Sequence, residues 1–381
     1  MNRRELLLSG AALALTPGFA RAAGVKPIKI GVMNDMSGVY SDDQGIGSVI
    51  AAQLAVDDYA AKLGVGAEIV SADHQQKPDV GAAIARKWFD EDHVDVIMDL
   101  PNSAVALAVV AVATAKNKAV IGSGAGSSIL TGAKCSPIFI HWTYDTYELG
   151  HAFGKDLAGN CAAAVKAAGG SVVGEARHPL GASDFSSFLL QAQSSGADVV
   201  GLANAGADLY TTMKQAHEFG LTPKQKLACF VLNMTGIPAL GLEVAQGSNV
   251  ATPFYWDFND GTRAFAKRYQ DKHPKKMMPN DMHAGMYAAT AHLLKNYAQT
   301  KDAEDGLKLV NAMKAMPTDD PLFGKGRIRE DGRHLHPVYL MEVKSPAESK
   351  NKWDAFKMVS TIAANDAFRP LSEGHCPFIK A

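Results

Sequence analysis

From residue 28 onward the chain alternates short β-branched apolar runs with amphipathic helical stretches, and few folds accept that alternation. Parallel strands need long crossover connections, and helices in those crossovers cover the faces of the sheet they serve. Residues 28–33, 68–71, 94–98 and 119–121 read as strands, with 46–63, 79–89 and 103–115 as the helices among them. After a helical stretch over 145–168 the series restarts, with strands at 171–174, 198–202, 227–232 and 249–252 and helices at 184–194 and 208–219. Helices at 262–272, 282–299 and 304–316 follow, then strands at 338–343 and 356–360. The pattern predicts an α/β protein of two Rossmann-like, doubly wound lobes. No low-complexity linker separates them, so the chain is expected to cross between lobes more than once and to leave a cleft at the boundary.

At 381 residues and 47% apolar content the chain can fill two such cores. Residues 1–22 stand apart: Arg3 and Arg4, an apolar run over 6–15 broken only by Ser9 and Gly10, then Ala20-Arg21-Ala22. That is the layout of a cleavable secretory signal, and the arginine pair leaves the twin-arginine route open beside the general one. No later run approaches the ~18 uninterrupted apolar residues of a membrane-spanning helix. Thirty-eight Lys and Arg against 39 Asp and Glu give no global field, so nucleic acid is not an expected partner. Four cysteines in an exported chain could form zero, one or two disulfides. Cys135 and Cys376 lie in polar stretches flanked by Pro or Gly and are the pair expected to clasp a loop to the C-terminal tail, 371–381. Cys161 and Cys229 lie in helical and strand-like apolar surroundings, where free thiols are ordinary.

The signatures of common exported enzymes are missing. No serine stands in G-x-S-x-G, and there is no H-E-x-x-H, phosphate-binding P-loop or EF-hand loop. Residues 122–126 follow a strand but lack G-x-G-x-x-G spacing, so no nicotinamide cofactor is expected. His334 and His336 alternate on a strand without a third clustered ligand, so no metal is expected either.

What the chain does have is a set of loops rich in small and hydroxyl residues, each leaving a predicted strand and most opening a helix. In doubly wound folds ligands bind at such loops. They are 36–41, containing Tyr40; 101–104, with Asn102 and Ser103; 123–128, with Gly124, Ala125 and Gly126; and 203–206, with Asn204 and Ala205. The free N–H groups of a helix N-terminus suit a carboxylate, although Asn and Ser there also serve simply as caps. Aromatic residues gather at the lobe boundary, and Tyr144 and Tyr255 are the candidates for ligand walls because each joins an apolar face to a polar tip. The same residues would also serve as hinge packing.

Together these stretches resemble the leucine/isoleucine/valine-type periplasmic binding proteins of ABC importers, in the branch often associated with aromatic and other organic acids. The resemblance runs through 28–32 and 36–38, 51–58, 123–128, Thr143-Tyr144-Asp145-Thr146-Tyr147 and 183–187. It implies a type I fold with a three-crossover hinge near Tyr144, near Tyr255 and over 332–337. Lobe 1 would then comprise 26–143 plus 257–332, and lobe 2 144–256 plus 333–370. It further implies a periplasmic, non-enzymatic monomer that delivers a small carboxylate to a membrane permease. Ligand contacts are expected at Tyr40, Asn102, Ser103, Gly124, Gly126, Asn204, Ala205 and Met282. Relatives that bind α-amino acids carry an acid after the strand matching 227–232, whereas 232–242 here contain none, so an organic acid is favoured over leucine. Relatives also carry a strand and a tyrosine-bearing loop where His151 and Ala152 lead straight on here, so the second lobe is expected to lack its first strand. A ligand-sensing receptor or an exported hydrolase is the competing reading.

Overall fold

The computed structural model describes residues 26–152, 165, 169–222 and 224–379. The secretory signal expected over 1–22 and Cys161 lie outside these residues.

Five parallel strands form the first sheet: β1 (Ile28–Asn34), β2 (Ala67–Asp73), β3 (Val96–Asp99), β4 (Ala119–Gly122) and β5 (Phe139–His141), in the order β2-β1-β3-β4-β5. Side chains alternate across a strand, and β1 shows the result. Ile28, Ile30 and Val32 enter one core with α1 (Gly45–Leu63), while Met33 enters the other with α2 (Pro78–Asp90) and α3 (Ser103–Ala115). Gly31 faces the second core as well. A Cβ there would stand 2.4 Å from the Trp88 ring of α2, so the missing side chain is what seats that helix.

From β5 the chain passes through residues 142–145 into α4 (Thr146–Ala152). The second lobe then supplies α5 (Ser186–Ser194), β6 (Val199–Ala205), α6 (Gly206–Glu218), β7 (Lys226–Val231) and β8 (Asn249–Thr252). The chain returns over 253–259 to three helices of the first lobe, α7 (Asp260–Lys272), α8 (Asp281–Thr300) and α9 (Gly306–Ala315), whose apolar faces join the core of α1. Strands β9 (Thr318–Asp320), β10 (Gly324–Ile328) and β11 (His334–Leu335) form a small antiparallel sheet. The third passage, 336–337, leads to β12 (Val338–Val343) and β13 (Phe356–Ile362), which with β8 make an antiparallel sheet ordered β13-β12-β8. Cys135 and Cys376 are disulfide-bonded, and Cys229 is a buried free thiol.

In the second lobe the parallel run is the pair β6–β7. Residues 171–174, read from sequence as a strand, are exposed and unpaired, with Val172 at 44% and Val173 at 58% exposure. A strand exists through its ladder, and among the described residues none stands between α4 and β6 to pair with this run. The expected helix over 145–168 is described as α4 and at Val165, with most of the remainder outside the described residues.

Gly31→Ala should lower the unfolding free energy by about 1–3 kcal/mol through overpacking against Trp88. The check is a urea midpoint that falls with an unchanged slope; an unmoved midpoint would contradict this seating of α2.

Candidate functional site

The C-terminal ends of β1, β3 and β4 are bound together by one buried carboxylate. Asp99, at the end of β3, accepts from Asn34 Nδ2 at 2.9 Å, Gln44 Nε2 at 3.0 Å and Ser123 Oγ at 2.7 Å. Its carbonyl also takes the N–H groups of Ser123 and Gly124. Asp99 and Leu100 both have positive φ, +89° and +62°, a turn that these bonds hold in place. In the β1–α1 loop, Asp35 plays a similar part by accepting from the N–H groups of Gly38 (2.7 Å) and Tyr40 (2.9 Å) and from Gln76 Nε2. Neither aspartate was singled out in the sequence, where each is merely an acid at the end of an apolar run.

On this frame most of the sequence-predicted residues come together. Burial and the charges of Asp208, Asp43 and Asp35 push the Tyr40 hydroxyl up to about 12. Asn102 caps α3, its Oδ1 accepting from the N–H groups of Ala104 and Val105, and its Nδ2 donates to Gln76 at 2.7 Å. Ser103 Oγ accepts from the N–H of Ser127 at 3.0 Å and so joins the head of α3 to the 123–128 loop. Gly124 has no room for a side chain, since a Cβ would lie 1.5 Å from Gln44 Nε2. Its carbonyl accepts from the Tyr144 hydroxyl at 3.0 Å, the Ala125 carbonyl meets the His141 ring, and the Gly126 carbonyl accepts from Thr146 N–H at 2.6 Å. Tyr144 shares an apolar cluster with Met282.

From the second lobe, Ala205 caps α6, and Asn204 donates to Thr212 Oγ1 at 2.8 Å while its buried Oδ1 has no partner. Tyr255 stands apart from this group. Its hydroxyl donates to the Trp353 carbonyl at 3.2 Å and accepts from Ala355 N–H, inside the second-lobe core.

The hinge is organised by a residue that sequence reasoning missed. Arg333, in the third crossover, is fully buried and donates to the carbonyls of Trp142, Thr143 and Tyr144 in the first crossover and to that of His334. It stands 3.5 Å from Asp145 and 4.4 Å above the Phe368 ring. His334 bridges Thr318 Oγ1 (2.9 Å) and the Trp142 carbonyl (3.2 Å), and His336 meets the Thr143 carbonyl at 2.6 Å. The pair therefore makes hinge hydrogen bonds, and among the described residues no group of three His, Cys, Asp or Glu is arranged to hold a metal. Around Tyr144 lie three buried acids. Burial raises Asp281 to about 7 and Asp43 above its usual range, and burial with the charge of Asp145 pushes Glu148 well up. Both Glu148 oxygens lack a hydrogen-bond partner.

A family profile described as periplasmic binding protein matches residues 27–160 and 149–351. The chain is a type I periplasmic binding protein of the ABC-transporter kind. It is 41% identical to a periplasmic binding protein from Burkholderia mallei, over 93% of this chain and 99% of that one, with a TM-score of 0.88. It is 37% identical to a branched chain amino acid ABC transporter periplasmic ligand-binding protein from Burkholderia xenovorans, over 92% and 99%, with a TM-score of 0.78. A solute binding protein from R. palustris, solved in complex with benzoate, shares the fold at 20% identity, over 89% and 97%, with a TM-score of 0.78. No curated protein matches. The two matched segments of the family profile overlap at 149–160, around the His151-Ala152 junction that the sequence singled out.

Charge burial at the hinge of this periplasmic binding protein has measurable consequences. Replacing Arg333 by Met leaves Asp145 and Glu148 buried without their cation, and the urea unfolding free energy should fall by about 3–5 kcal/mol.

The histidines set the acid limit. Burial lowers His141 and His283 to about 3, His292 and His336 to about 4, and His334 well below its usual value. The unfolded chain takes up these protons near pH 6.5, which the native state refuses. Stability should thus fall as pH drops from about 6.5 toward 4, read as a urea midpoint that moves down over that range. Asp281 works in the opposite sense. Raised to about 7, it favours the folded state most below the ordinary aspartate range and loses that contribution as pH rises through 7. Asp281→Asn should therefore gain stability over the parent at pH 8, with the gain shrinking by pH 5; urea titrations at both pH values read the difference.

Proposed function

We propose that this periplasmic binding protein captures a small carboxylate-bearing molecule, an organic and above all an aromatic acid, in the cleft between its lobes and delivers it to the membrane permease of an ABC importer. The observation that carries the reading is the joint formed by the head of α3 and the 123–128 loop, where the Ser103 hydroxyl takes the Ser127 N–H. The positive end of the α3 dipole lies there, which favours an anion. Tyr40 and Tyr144 supply aromatic walls, and Ser103, Gly124, Ala125, Gly126, Asn204, Ala205 and Met282 supply the remaining contacts. Asn102 contributes through its cap, and Tyr255 supports the second-lobe core. The lobes are 26–143 plus 257–332 and 144–256 plus 333–370, and the chain is a monomer exported by its first 22 residues.

The absence of an acid over 232–242 favours an organic acid over an amino acid. A solute binding protein of the same fold was solved with benzoate, and another with 4-hydroxybenzoate. A second reading, an α-amino acid, draws on a specific observation as well: Asp281 and Glu148, both buried beside Tyr144, would suit an ammonium group, and the 37% identical relative is a branched chain amino acid ABC transporter ligand-binding protein.

Thermal melting of the mature protein against aromatic acids, aliphatic acids and branched amino acids separates the two. A ligand at 100 times its Kd adds about 2.7 kcal/mol. Stabilisation by benzoate- or cinnamate-like acids and none by leucine is the expected result; stabilisation by leucine alone would replace the first reading with the second.

A further inference from the structure

Asp43 ends the loop between β1 and α1, and its side chain reaches out of its own lobe. Its Oδ1 accepts from the hydroxyls of Tyr210 (3.2 Å) on α6 and Thr235 in the turn after β7, both second-lobe groups. Its backbone is fixed from the first lobe, where Asn280, the cap of α8, donates to the Asp43 carbonyl at 2.8 Å. The same loop touches the second lobe again at Val39, whose carbonyl accepts from Ala207 N–H at 3.2 Å. Two glycines make these approaches possible. Gly206 has a φ of +59°, and a Cβ there would stand 2.4 Å from the Val39 carbonyl oxygen; a Cβ at Gly236 would stand 1.9 Å from the Tyr210 ring.

Asp43 is 3% exposed, and among the described residues no cation forms an ion pair with it. A carboxylate in that position is costly unless hydroxyls across the cleft satisfy it, and they do so only while the lobes are together. We propose that Asp43 is an interlobe latch, its carboxylate gripping Tyr210 and Thr235 so that protein–protein bonds supply part of the closing free energy before any ligand arrives. The proposal rests on the reading that the chain captures its ligand by closure. A ligand that binds the closed form is weakened by the fraction of molecules that are open, so the latch sets affinity without touching the ligand.

The test uses the ligand-free mature protein, so that failure of the compound panel leaves it readable. Small-angle scattering and hydrogen exchange at the Ala207 amide are compared for the parent, Asp43→Ala, and the double variant Tyr210→Phe with Thr235→Val, which keeps Asp43. Each variant should raise the open-to-closed ratio by about ten-fold or more, with a larger radius of gyration and correspondingly faster Ala207 exchange. The double variant decides the matter if Asp43→Ala does not fold. Scattering and Ala207 exchange equal to the parent in the folded variants would overturn the latch.

Discussion

One buried guanidinium holds the two lobes in register. Arg333 lies in the third crossover and spends its donors on the backbone of the first, at Trp142, Thr143 and Tyr144. Carbonyl acceptors, the Asp145 carboxylate and the Phe368 face together replace the water it has lost, which makes a buried cation tolerable. Its charge then dictates the chemistry around it. His141, His334 and His336 all lie within its field, and a second positive charge so close in a dry environment is disfavoured, so these rings stay neutral and serve as fixed donors and acceptors. Arg333 thus ties the third crossover to the backbone of the first.

The ligand loops obey the same rule with the sign reversed. Asp99 draws Asn34 from the end of β1, Gln44 from the β1–α1 loop and Ser123 from the end of β4 onto one carboxylate, which ties together the ends of β1, β3 and β4. A site assembled in advance loses less ordering entropy when its ligand arrives. Gly124 belongs to this arrangement: Gln44, on its way to Asp99, passes where a Cβ would stand.

Strands and helices that bury a repeating apolar face were legible in the sequence. The bounds of α3, β8 and β12 are those read from the sequence, each built around a run of apolar residues. Strands β5, β9 and β10 were not legible, being three to five residues long and, in β10, mostly Gly, Lys and Arg. The run at 171–174 shows the converse limit: its composition suits a strand, but pairing is a property of the neighbour. The loops that carry Ser103 and Gly124 were found by their place after a strand. Asp43, Asp99, Glu148 and Arg333 were not, because a buried charge has no sequence period; Asp99 meets Asn34 65 residues away and Asp43 meets Thr235 192 residues away. Tyr255 illustrates the ambiguity of aromatics at a boundary, since only its partners at 353–356 show that it braces a core.

The second lobe still presents a wall to the cleft because that wall is anchored from the other side. Leu202 of β6, Leu209 and Met213 of α6 and Cys229 of β7 pack in one cluster with Val250, Met341 and Phe356 of the antiparallel sheet. The ends of β6 and β7, which carry Asn204 and lead to Thr235, are therefore fixed against β8 and β12. By contrast Val199, at the start of β6, is 52% exposed, as is much of the 171–174 run. Tyr210 and Thr235, which meet Asp43, lie on the side of the lobe packed against the antiparallel sheet. Among the described residues, the contacts with the first lobe through Tyr210 and Thr235 come from the part of the second lobe that packs against this core.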